Sequence, residues 1–237
     1  IDLVYGLPLQ TVDSFKRTVE KAIQLDTARI VTFSYAHVPS VLPRQKVLEK
    51  IGFPSSKDKA LMYENSYDMF TKSGYISIGM DHFSKPGDEF EIALKNKQLH
   101  RNFQGYCTRE TTGQVYAFGA SSISQLNSAY SQNFKNAAKY IAEIEKNNLA
   151  VYRGYSVNKE QKIVRDVINS IMCNYYLDIE EIASINNCNR QEVIRIIDFD
   201  SKKFEDFIFD GLLKIEKFKL SVFEKGRLFT RNIAMRF

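Results

Sequence analysis

The chain has 237 residues, 44% hydrophobic and 26% charged, with 33 Lys and Arg against 28 Asp and Glu, a globular composition rather than a disordered one. The basic excess is diffuse, 18 against 15 in residues 1–150 and 15 against 13 beyond, so it marks no nucleic-acid surface. No apolar run reaches the ~18 residues a membrane-spanning helix needs, and three scattered cysteines outside any C-x-x-C spacing argue against a disulfide scaffold or a self-contained metal site and for a reducing, cytoplasmic setting.

Residues 1–5, IDLVY, read as a strand. A strand with no lead-in is the pattern of a chain that continues upstream, and no basic n-region of a signal peptide precedes it. Gly6 to Gln10 form a turn around Pro8. Thr11 then caps a helix whose apolar face is Phe15, Val19, Ala22 and Ile23. Residues 29–35 read as a second strand, and a β-α-β order at this spacing predicts parallel strands. The proline-rich stretch 38–56 is irregular or short-helical. Ser56 is expected to cap the next helix, with Ala60, Tyr63, Tyr67 and Phe70 facing the core and Gly74 ending it. Tyr75 to Met80 form a third strand that runs straight into Asp81-His82-Phe83. A charged helix follows at about 88–97, then a polar, aromatic stretch at 100–106. Small residues line 115–124, and a helix is expected at about 132–147.

From about residue 150 the character changes. Ile163, Val167 and Ile171 mark one helix, shorter helices follow near 178–184, 189–198 and 202–210, then a hairpin at 212–222 and a last helix from Gly226. Helices followed by a hairpin read as a winged-helix-like module, so the expected division is 1–148 and 149–237.

In parallel α/β units functional residues collect at the carboxyl ends of strands. Three such ends are read here: Tyr35-Ala36-His37, Asp81-His82, and Gly119 to Ser124. Asp81 beside His82 suits an acid–base pair, although strand neighbours point to opposite faces. His100-Arg101 suits a carboxylate, because Arg binds that group bidentately. No phosphate-loop pattern occurs. Seventeen Phe and thirteen Tyr serve mostly as core and also suit a flat apolar substrate. From these residues alone the reading stops at an α/β enzyme portion with a helical carboxy-terminal module.

Longer motifs go further. Asp2-Leu3-Val4-Tyr5-Gly6-Leu7-Pro8 resembles a late barrel strand and its loop in radical S-adenosylmethionine enzymes of the coproporphyrinogen oxidase type. Phe33-Ser34-Tyr35-Ala36-His37-Val38-Pro39 resembles the oxidase pattern. So do Gly79-Met80-Asp81-His82-Phe83 with Pro86 and Asp88, and His100-Arg101-Asn102-Phe103-Gln104-Gly105-Tyr106. Gly226-Arg227, Arg231-Asn232-Ile233 and Met235 match as well. The likeness runs over the whole chain and identifies it with the oxygen-independent coproporphyrinogen III oxidases.

That resemblance implies the later part of an open (β/α) barrel followed by the small helical domain. It implies oxidative decarboxylation of two propionates of coproporphyrinogen III to vinyl groups, giving protoporphyrinogen IX. The radical comes from S-adenosylmethionine reduced by a 4Fe–4S cluster, with an electron donor as partner. The family's C-x-x-x-C-x-x-C cluster loop is absent from these 237 residues, so its ligands are expected upstream and the chain alone is expected to be inactive. Matched onto the motifs, Asp2, Ala36 and Ile123 fall at S-adenosylmethionine contact positions. Asp81, His82 and Arg101 are the candidates for the substrate, with Phe103 and Tyr106 as aromatic walls. No catalytic residue and no metal ligand is assigned. A monomer is expected, without nucleic acid or membrane as partner. A heme-binding chaperone of the same superfamily is the alternative, against which the G-M-D-H-F and H-R-N-F-Q-G-Y segments speak.

Overall fold

In the computed structural model, which describes residues 1–102, 105–108 and 114–237, the chain divides into two compact units, Ile1–Ile92 and Ala93–Phe237. The first begins with β1 (Asp2–Tyr5), α1 (Val12–Gln24) and β2 (Arg29–Ser34). β1 and β2 are parallel, as the β-α-β order predicts, with Asp2 opposite Val31 and Tyr5 opposite Ser34. Thr11 and Ser14 form a reciprocal capping box at the start of α1, satisfying two amides that helix geometry leaves unpaired. Phe15, Val19 and Ala22 are buried as expected.

A 3₁₀ turn at Pro43–Gln45 and the short α2 (Lys46–Glu49) lead to α3 (Ser56–Lys72). Its cap is Ser55 rather than Ser56, because the carboxylate of Asp58 reaches back to the amide and hydroxyl of Ser55. The buried stripe is Met62, Ser66 and Phe70, so Phe70 of the expected face is in the core and Tyr67 packs against it. Ala60 is exposed, and Tyr63 and Tyr67 are half-buried. The Tyr63 hydroxyl donates to the Met80 carbonyl and the buried Ser66 donates its hydroxyl to the Tyr63 carbonyl at 2.7 Å, so both polar groups find partners.

The third strand also differs from expectation. β3 (Ile76–Gly79) ends at Met80, whose φ is +37°, and the chain folds back as β4 (His82–Ser84). β4 inserts between β2 and β3, antiparallel to both, giving the order β1-β2-β4-β3. The left-handed backbone at Met80, costly for a side chain with a Cβ, breaks the run that the sequence reads as continuous. α1 and α3 cover one face of this sheet, where Ile30, Phe70, Tyr75 and Phe83 join the helix residues in one core. α4 (Glu89–Lys95) contains the division between the units.

In the second unit β5 (Leu99–Asn102) and β6 (Gly105–Thr108) form a hairpin with Arg101 opposite Tyr106. β7 (Ile123–Gln125), β8 (Ala129–Asn133) and β9 (Val151–Ser156) make an antiparallel sheet. The Gly119–Ser124 stretch is therefore not the end of a parallel strand. The helix expected at 132–147 is the shorter α5 (Ala137–Glu145), capped by Asn136, because residues up to Asn133 are taken up in β8.

α6 (Lys159–Asn174) buries Ile163, Val167 and Ile171 completely, as its spacing predicts, each contributing ~1.5–3 kcal/mol. Tyr175, at φ +56°, ends α6 and starts β10 (Tyr176–Asp178). This strand has three residues and shows no period in the sequence. α7 (Ile179–Ile185), α8 (Arg190–Ile196), α9 (Glu205–Phe209), β11 (Leu213–Glu216), β12 (Lys219–Val222) and α10 (Thr230–Ala234) follow. β10, β12 and β11 pair in that order, so the hairpin read from sequence has a third strand beside it. Among the described residues no helix is long and apolar enough to cross a membrane.

Candidate functional site

In the first unit, strand alternation sets Leu3, Tyr5, Ile30, Thr32 and Phe83 toward the helices and leaves Asp2, Val4, Val31, Phe33 and His82 on the other face. Val4 and Phe33 remain 39% and 40% exposed. Asp2 and His82 both lie level with Val31, one on each side of it, so two residues from distant motifs share one row of this open face. The Phe33 ring meets the His82 ring edge-on at 6.4 Å.

Asp81 sits in the turn between β3 and β4, not within a strand. Its carbonyl accepts the amide of Thr32 at 2.8 Å, and its carboxylate accepts from His82 Nδ1 at 2.7 Å. The strand rule that would point these neighbours apart does not apply at a turn, and the two form the pair that their types suggest.

Ala36 lies just beyond β2, so it stands at the carboxyl end of the sheet while Asp2 stands at the amino end, roughly a strand length away. Two glutamines clamp the loops at the carboxyl end. Gln45 donates to the Ala36 carbonyl at 3.0 Å and accepts the Val38 amide at 2.7 Å. Gln10 donates to the Val4 carbonyl and accepts the Leu7 amide, both at 3.2 Å. Beside them the Tyr35 and Phe53 rings stack at 5.7 Å, and His37 packs on Phe53 while its Nε2 meets Glu49 at 3.0 Å. Neither glutamine is signalled by the sequence, because a side chain that bridges two backbone groups leaves no periodic trace.

Ile123, Arg101 and His100 belong to the second unit. Ile123 is half-buried on β7 and lines a cavity of about 380 Å³ with Tyr130, Gln132 and Arg153. The loop before it is held by the Asn133 amide, which donates to the Gly119 carbonyl and the Ser122 hydroxyl, each at 3.1 Å. His100 Nε2 lies 3.3 Å from Gln125 Nε2. The Arg101 guanidinium lies 5.6 Å from the centre of the Tyr106 ring and lines a second cavity of about 570 Å³. Tyr106 is not a wall of that cavity. It is buried, and its hydroxyl donates to the Met172 carbonyl at 3.0 Å. Phe103, the other expected wall, lies outside the described residues.

The cysteines do not fit an iron–sulfur cluster. Cys173 is buried in α6, while Cys107 and Cys188 are half-buried. Burial, opposed by the nearby Arg101 charge, pushes the Cys173 thiol up to about 12, as an apolar setting does. Among the described residues no group of three His, Cys, Asp or Glu is placed to hold a metal ion.

No family model matches the chain. Among curated proteins it is 36% identical over 240 residues to the oxygen-independent coproporphyrinogen III oxidase of Escherichia coli (strain K12), covering 100% of this chain and 51% of that protein. With the protein of the same description from Thermostichus vulcanus it shares 38% identity over 240 residues, covering 98% of this chain and 71% of the relative. The solved structure of coproporphyrinogen III oxidase (HemN) from Escherichia coli, described as a radical SAM enzyme, matches with a TM-score of 0.90 at 36% identity, over 100% of this chain and 54% of that one. The chain thus spans about half the length of most of these relatives.

Proposed function

The chain belongs to the oxygen-independent coproporphyrinogen III oxidase family, and from that premise we propose that it is the carboxy-terminal portion of a radical S-adenosylmethionine enzyme that oxidatively decarboxylates two propionates of coproporphyrinogen III. The observation that carries this reading is the match of its full length, in sequence and in backbone, to HemN. In this reading residues 1–148 are the later part of the barrel and residues 149–237 the carboxy-terminal module, working as a cytoplasmic monomer.

S-adenosylmethionine and its cluster, when bound, supply the hydrogen-abstracting radical. Asp2 suits the coenzyme because an exposed carboxylate on an open sheet face accepts hydrogen bonds from a ribose hydroxyl or an ammonium group. Ala36 suits it because its small side chain, on a loop held by Gln45, lets a ligand approach the backbone. Ile123 adds apolar packing. With Asp2 and Ala36 at opposite ends of the strands, such a ligand lies extended along the sheet. Asp81, His82 and Arg101 serve the propionates. The family's C-x-x-x-C-x-x-C loop is absent from these 237 residues, and in this reading the cluster ligands lie outside them.

The test joins the chain to a cluster-bearing upstream half and follows anaerobic release of carbon dioxide from coproporphyrinogen III, with a heme titration alongside. Protoporphyrinogen IX formation is expected. Stoichiometric heme binding without decarboxylation would favour the chaperone reading and overturn this one. The 237-residue chain alone, reconstituted with iron and sulfide, is expected to show no 4Fe–4S absorption.

A further inference from the structure

Three arginines converge on the 570 Å³ cavity of the second unit: Arg101 from β5, Arg165 from α6 and Arg231 from α10. Its other walls include Tyr130, Met172 and Phe237, and among the described residues no Asp or Glu side chain lines it. Arg165 is held in place, donating to the Leu126 carbonyl at 3.3 Å and the Asn127 carbonyl at 2.8 Å, with only 16% of its side chain exposed. Its neighbour Asp166 is held by Lys162 at 3.1 Å and Asn186 at 3.0 Å, with its Oδ1 4.0 Å from Arg165 Nε. Neither Arg101 nor Arg231 forms an ion pair with a carboxylate among the described residues.

Like charges drawn together around an apolar hollow, with only Arg165 ion-paired to a carboxylate among the described residues, destabilise a folded chain unless an anion joins them. The cavity lies within the 300–1,000 Å³ range of ligand sites and combines apolar walls with a few fixed polar groups, as such sites do. Guanidinium groups bind carboxylates through paired N–H donors, and three of them around one hollow select a ligand with several carboxylates on an apolar body.

We propose that this cavity is a carboxylate-anchoring site for one edge of a tetrapyrrole, with Arg101, Arg165 and Arg231 taking its propionates and Tyr130, Met172 and Phe237 taking the ring. The choice of ligand rests on the function proposed above; the site itself rests on the cavity. Asp2, Ala36 and Ile123 do not line it. Arg165 supplies a fixed charge and the exposed Arg231 one that moves to the ligand.

The probe is coproporphyrin III, the oxidised and stable form, titrated into the 237-residue chain and followed by porphyrin fluorescence. Coproporphyrin tetramethyl ester, the same ring without charges, is the control. Saturable binding of the acid is expected. Arg101→Ala and Arg231→Ala should each weaken it at least tenfold, Arg231→Lys should restore part of the loss, and the ester should bind at least tenfold more weakly. Arg231 is exposed, so its variants stay folded even where Arg101→Ala does not, and thermal midpoints verify this. Equal binding of acid and ester, wild-type affinity in the Arg231→Ala chain, or no saturable binding overturns the site. Decarboxylation by the joined enzyme is measured in parallel. If it persists while the cavity fails these tests, the site is wrong and the family function stands; if it is absent, the functional reading fails.

Discussion

His82 Nδ1 lies 2.7 Å from the Oδ1 of its own sequence neighbour, Asp81. A carboxylate only accepts, so the Nδ1 carries the proton and Nε2 of the neutral ring keeps its lone pair. The turn at Met80 makes this possible, since it takes Asp81 out of the strand and lets its carboxylate reach the His82 ring.

Replacing Asp81 by Ala should therefore move the neutral His82 ring toward the Nε2–H form, read from its ¹⁵N shifts, at a cost of about 1 kcal/mol in stability. An unchanged tautomer would mean that another neighbour fixes the ring and that Asp81 does not orient it.

Gln45 holds Ala36 and Val38 by two side-chain hydrogen bonds. In the Gln45→Ala chain the Val38 amide should exchange roughly five- to tenfold faster, matching the loss of about 1 kcal/mol for one bond. In the joined enzyme the same change should raise the Michaelis constant for S-adenosylmethionine more than it lowers the turnover number. Gln45→Glu, which keeps the acceptor for Val38 and loses the donor to Ala36, should fall between. If Val38 exchanges as before, the clamp is an incidental surface contact.

The elements with a stripe and a cap were legible: α1 from Thr11, Phe15, Val19 and Ala22, and α6 from Ile163, Val167 and Ile171. The parallel pair β1 and β2 followed from spacing alone. What escaped has specific causes. A left-handed residue such as Met80 or Tyr175 carries no sequence signal when it is not glycine. Three-residue strands such as β4, β7 and β10 are too short to show alternation. Among the residues read from motifs, Ala36 is held by Gln45, and Gln45, like Arg165 in the wall of the second-unit cavity, is a single residue whose place exists only in three dimensions.

Gly226 illustrates a motif residue whose reason is space. Its φ is not positive, yet a Cβ built there would lie 2.1 Å from the Leu212 carbonyl oxygen and 2.9 Å from Val222 Cγ1. The carbonyl cannot yield freely, because it accepts the Phe223 amide at 2.8 Å. Gly226→Ala should cost about 1–3 kcal/mol or more, read by denaturant unfolding. A variant as stable as the parent would show that the 224–229 turn shifts without loss.

Asp178 gives the second unit a pH dependence of definite sign. It caps α7 through the Glu180 amide at 3.0 Å and pairs with Lys219 at 2.8 Å. Burial raises its carboxyl pKa, but the Lys219 bond and the amides of Glu180 and Glu181 outweigh that and hold it below the ordinary 3.8. A carboxyl depressed in the folded state contributes stability that is complete above its unfolded pKa and is lost as pH falls through the folded value. Asn also caps helices well, so Asp178→Asn keeps the cap and removes the charge. Lys219 is 55% exposed, which limits the pair to less than about 1 kcal/mol. The variant should therefore be slightly less stable than the parent near neutral pH, with the gap closing below about pH 4. Denaturant midpoints for both chains across the acid range would show this. A gap that stays constant with pH would assign the loss to packing, and one that widens in acid would reverse the sign argued here.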